Sequence, residues 1–147
     1  MLENLKKIYA TSVVINVAML MSIVLYAAII EILLMNNIAR NLIKTGNSLN
    51  YLLLAIIFLI LQMRKKLVSK YASDRGNTDE NTRVQNLFSL SIISAIVFEV
   101  PALVGFVFFF VSGARLQFYL LSFFSAFMII RHFPKFSKWQ KETGIIK

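Results

Sequence analysis

The stretch Leu87-Phe-Ser-Leu-Ser-Ile-Ile-Ser-Ala-Ile-Val-Phe-Glu99-Val-Pro101-Ala-Leu-Val-Gly105-Phe-Val-Phe-Phe-Phe-Val-Ser112 decides the fold. It is long enough to cross a bilayer as one helix, because about 20 apolar residues suffice. Near its middle stands one ionisable residue, Glu99. A carboxylate at that depth is costly, and such groups face a protein interior or a water path rather than lipid. Its natural chemistry there is the binding of a proton or a cation.

The rest of the chain extends this membrane reading. Of its 147 residues, 58% are hydrophobic, and the mean hydropathy is +0.70. That is too apolar for a soluble domain of this size. There is no cysteine and only one histidine, His132. Disulfides, thiolate metal sites and histidine-rich metal sites are therefore excluded. The sequence implies no metal and no cofactor. The net charge of +9 resides in basic residues that flank apolar runs, which is how a membrane protein fixes its orientation. Nucleic acid is not an expected partner.

Three further apolar segments accompany the first. One runs from Val13 to Met35, one has its core at Tyr51 to Met63, and one has its core at Phe118 to Ile130. The two short cores span if Arg64, Lys65, Lys66 and Arg131 snorkel to the headgroups. The expected fold is all-α, a polytopic integral membrane protein of four transmembrane helices in two hairpins. The helices are expected at about 13–35, 48–66, 87–112 and 116–132, in one membrane domain. A cytoplasmic loop at 67–86 and a tail at 133–147 complete it. The first segment reads as retained, since its apolar run is too long for a signal-peptide core. Thr78 or Asp79 is placed to cap a helix leading into the third span. Pro134 is placed to end or bend the fourth.

The connections give the orientation. Thirteen basic residues fall on the side of the termini and the 67–86 loop, and three on the other side. The positive-inside rule then puts both termini and that loop in the cytoplasm, with the chain multi-pass in the cell membrane. Trp139, Arg131 and Lys135 have the composition of interfacial anchors. Two pairs of stretches hint at an internal duplication: Met21–Tyr26 on Ile93–Phe98, and Asn50–Leu54 on Phe118–Ser122.

On a helical wheel, Ser91, Ser94, Ala95, Glu99, Ala102, Gly105 and Ser112 fall within an arc of about 140°. The opposite face is bulky and apolar. Small residues allow close approach of a partner helix and bulky ones suit lipid, so Glu99 points into a bundle or oligomer. Pro101 has no amide hydrogen to give the carbonyl of Val97. Glu99, Pro101, Ser94 and Ser91 are the ion-binding candidates, with the freed carbonyl beside them. Homo-oligomerisation, or assembly with partner membrane subunits, would bury the small face beyond the lipid bilayer's own contacts.

The stretch from Thr82 through Phe106 resembles the carboxylate-bearing helix of rotor-ring proteolipids, the c subunits of rotary ATP synthases and ATPases. The resemblance implies that Glu99, beside Pro101, binds a translocated proton or sodium ion. Arg83, Gln85 and Gly105 match more loosely. It covers 25 of the 147 residues. The glycine-rich partner helix of that family has no counterpart, because the second apolar segment contains no glycine.

Glu31 is a second acidic candidate, toward the outer end of the first span. It is either an interfacial carboxylate in contact with water or a partner of Arg40, with Arg115 at the same mouth. Asn16 and Gln62 are expected as interhelical glue. Tyr26 either hydrogen-bonds toward a carboxylate or packs. No enzyme signature is present: there is no glycine-rich phosphate loop, no metal-ligand spacing and no paired carboxylates. Two functions follow from this reading. One is a proton- or cation-binding membrane subunit. The other is a non-catalytic subunit or assembly factor whose intramembrane glutamate pairs with a partner helix.

Overall fold

The computed structural model of the chain describes residues 2–36, 55, 57–66, 69, 80–113 and 115–143. Among them the fold is entirely helical. Helix α1 covers Leu2–Met35, α3 Glu80–Ser112, α4 Arg115–Arg131 and α5 Phe136–Glu142; α2 covers 57–66. Two stretches are long and apolar enough to cross a membrane, Glu3–Met35 and Asn81–Ser112. Helix α4 meets α5 across a 53° bend, and together they make a third candidate. An apolar medium offers the backbone no partners, so a run of this composition folds as helix to satisfy its own amides and carbonyls.

The helices exceed the expected spans at their basic ends. Helix α1 begins at Leu2, not near residue 13, and carries Lys6 and Lys7. Helix α3 begins at Glu80, so residues 80–86 of the expected loop are its first turns. The tail contains α5. Hydropathy marks where a helix meets lipid, whereas the helix itself continues while its residues tolerate helical geometry. The 34 residues of α1 extend about 50 Å, well beyond a hydrocarbon core of about 30 Å. Thr78, Asp79 and Arg40 lie outside the described residues.

Helix α3 is the centre of the packing, against α4, α1 and α5. Contacts of Ser12 with Ser91 and of Ser22 with Glu99 show that α1 and α3 run in the same direction. Helix α4 returns antiparallel after Gly113, whose φ of 65° is the left-handed conformation that closes a helix. Its amide donates to the Phe109 carbonyl at 2.8 Å. The return is close because of Gly105. A Cβ there would stand 3.1 Å from Cδ1 of Leu121 and 3.3 Å from Cα of Phe118. Immediately after Pro101, the Ala102 amide donates to Oγ of Ser125 on α4 at 3.0 Å.

The apolar core also holds polar side chains, and the exterior is apolar. Ser12, Asn16, Glu99, Ser122 and Ser125 are buried, beside Phe98, Phe109, Phe118 and Ile30. Leu116, Leu120, Phe123, Phe127 and Ile130 form an exposed stripe along α4, and Val14, Val17, Met21 and Val24 another along α1. Large contiguous apolar surface of this kind is rare on soluble monomers and suits lipid.

Candidate functional site

Polar side chains of α1 meet those of α3 in two layers and those of α4 in a third. At the basic end, the hydroxyls of Ser12 and Ser91 are 2.7 Å apart. Asn16 donates to the Ser12 carbonyl at 2.8 Å and to Ser91 Oγ at 3.2 Å. This layer is a closed hydrogen-bond knot.

The middle layer holds Glu99, only 8% exposed. Ser22 donates to its Oε1, and Tyr26 donates to the same oxygen at 3.1 Å. Ser22 Oγ is also 2.7 Å from the Met19 carbonyl. Ser22 and Tyr26 are four residues apart on α1, so both point toward α3 from successive turns. The Tyr26 ring packs on Phe106, with centroids 5.0 Å apart. Phe98, wholly buried, separates the layer from the basic end. Its ring faces His132 at 5.0 Å and the guanidinium of Arg64 at 5.2 Å. Among the described residues no basic side chain pairs with Glu99, and no cluster of three metal-binding side chains occurs.

The third layer lies at the opposite end. Arg115 pairs with Glu31 at 2.7 Å, and Tyr119 donates to the same oxygen of Glu31. The Arg115 guanidinium lies 5.6 Å from the Tyr119 ring centroid. Both members of the ion pair are substantially exposed, at 56% and 42%.

The structure thus places Glu99 and the buried Pro101 together at mid-helix. Ser91 belongs to the Asn16 knot instead. It is eight residues from Glu99, about 12 Å along the helix. Ser94 lines a separate cavity at the basic end, with Arg131 and Lys135. Trp139 is buried, 4% exposed, with its ring edge-on to Tyr9 at 5.6 Å. Arg115 does meet Glu31. Ser22, which donates to Glu99, carries no signal in the sequence beyond being a small polar residue on an apolar helix.

Compared with protein-family models, with curated proteins and with solved structures, the chain matches none.

Proposed function

We propose that this is a small integral membrane protein of four spans in two hairpins, with both termini in the cytoplasm, in which Glu99 binds and releases a proton or cation. One observation carries this reading. Glu99 is buried at the middle of a membrane-length helix, and its partners among the described residues are hydroxyls, with no balancing cation. An uncompensated buried charge is costly, so the carboxyl holds a proton or a cation.

The geometry suits reversible binding. Both hydroxyls donate to Oε1, and a carboxyl oxygen accepts two hydrogen bonds in either protonation state. A proton carried on Oε2 can leave from there while Ser22 and Tyr26 stay in place. The Val97 carbonyl, freed by Pro101, supplies a further oxygen on the same helix.

The test is carbodiimide labelling of the protein in lipid across a pH series, with and without sodium, read by mass spectrometry against Glu99→Gln. Labelling confined to Glu99 near neutral pH supports a protonatable site, and protection by sodium a cation site. No labelling of Glu99 at any pH overturns it. The second reading, a non-catalytic subunit or assembly factor, draws support from the same Oε2, which would meet a donor on a partner helix. It predicts that labelling appears only when the partner is removed.

A further inference from the structure

At the basic end, α2, α3, α4 and α5 line a partly open cavity of about 350 Å³. It lies within the range of roughly 300–1,000 Å³ typical of small-ligand sites. Four cationic side chains converge on it from three elements and one connection: Arg64 of α2, Arg131 of α4, Lys135 of the connection and Lys138 of α5. Among the described residues Glu142 is the only carboxylate of its lining, and it lies 3.9 Å from Lys138.

The guanidinium of Arg64 is the strongest sign. Its Nε is buried and has no hydrogen-bond partner among the described residues. Buried donors of native proteins are nearly always satisfied, so this one calls for an acceptor. Gathering Arg64, Arg131, Lys135 and Lys138 around one concavity is unfavourable by itself, since like charges repel. An anion in the cavity resolves both problems. Arginine forks match phosphate oxygens two at a time, and the hydroxyl of Ser94 on the wall adds a polar neighbour.

We propose that this cavity binds a phosphate-bearing anion through Arg64, Arg131, Lys135 and Lys138. The site is separate from Glu99. Two sources share the chemistry: the headgroup of an anionic phospholipid and a free phosphate. Basic pockets between helices on the cytoplasmic side characteristically take anionic headgroups.

The test uses the full chain in nanodiscs. In one arm the discs mix phosphatidylglycerol with phosphatidylcholine, and native mass spectrometry counts the anionic lipids that the released protein retains. In the other arm the discs hold phosphatidylcholine alone, and equilibrium dialysis measures uptake of radiolabelled inorganic phosphate. The expected result is selective retention of phosphatidylglycerol, weakened roughly tenfold or more by Arg64→Gln with Arg131→Gln, the scale for losing charge-assisted hydrogen bonds. Uptake of free phosphate with the same sensitivity would identify a soluble ligand for the same site. Lys135→Gln with Lys138→Gln changes only exposed side chains, so it tests the site without touching the core. Lys6→Gln with Lys7→Gln removes equal charge from outside the cavity and should leave binding unchanged. Binding in neither arm overturns the proposal. So does an equal loss in the Lys6 and Lys7 variant, which would reduce the effect to general surface charge.

Discussion

Tyr26 Oη lies 3.1 Å from Oε1 of Glu99, so a residue on α1 and a carboxyl 73 positions later share one partly buried hydrogen bond. With Ser22 one turn earlier, this ties the site to the register of α1 against α3. Tyr26→Phe keeps the ring on Phe106 and removes only the hydroxyl. A carboxyl that loses a donor is held less firmly against α1. The expected outcome is faster carbodiimide modification of Glu99 at a fixed pH, without a change in helical content by circular dichroism. Unchanged or slower modification would show that the hydroxyl does not govern the site.

The close approach of α3 and α4 at Gly105 makes a stability prediction. A Cβ there meets Leu121 Cβ at 3.2 Å and the backbone of Phe118 at 3.3 Å. Leu121 Cδ1 can swing aside, but Leu121 Cβ and Phe118 Cα are fixed to α4, so the helices must part by a few tenths of an ångström. Against this, alanine gains about 1 kcal/mol of helix propensity over glycine. Gly105→Ala should therefore leave stability within about 1 kcal/mol of the parent, an offset of propensity against crowding. Gly105→Leu has no such escape and should cost about 1–3 kcal/mol, the usual range for overpacking. Denaturant unfolding in detergent micelles separates the two.

The site was legible in part, for reasons visible in particular residues. A glutamate within an apolar helix announces itself, and the wheel of α3 sets it with Ala102 and Gly105 on a small face. That face is wide, however: Glu99 looks toward α1 while Gly105 meets α4. Ser91 and Ser94 share its azimuth but sit one to two turns away, where Asn16 and the basic cavity claim them. Ser22 was hidden because its role depends on a register set by the folding of everything between α1 and α3. Of the two cations considered for Glu31, Arg115, 84 positions further on, meets it across the bundle, and Arg40 lies outside the described residues. The helix ends were blurred because hydropathy falls before helicity does, as at Leu2–Ser12.

Orientation is testable without engineering a background, because the chain has no cysteine. Met35, 80% exposed, ends α1 on the side poor in basic residues, and the exposed Lys141 lies in α5 on the basic side. The orientation proposed above has the basic side in the cytoplasm. In intact cells, Met35→Cys should react with a membrane-impermeant maleimide, and Lys141→Cys should react only after the membrane is opened. The reverse pattern would invert the topology.

Helix α5 is held to α1 by one aromatic residue. The Tyr9 ring packs on Phe136 at 5.0 Å and on Trp139 at 5.6 Å, and its hydroxyl donates to the Pro134 carbonyl at 3.1 Å. Trp139 is the only tryptophan, so its emission reports this contact alone. Each aromatic pair contributes about 0.5–1.5 kcal/mol beyond its buried area, enough to decide the docking of a seven-residue helix that would not persist alone. Tyr9→Ala should shift the emission of Trp139 to the red and raise its quenching by iodide. Tyr9→Phe keeps the rings and loses the bond to Pro134, so it should move both readouts far less. An unmoved spectrum in Tyr9→Ala would mean that α3, which also packs against α5, holds the helix without help from α1.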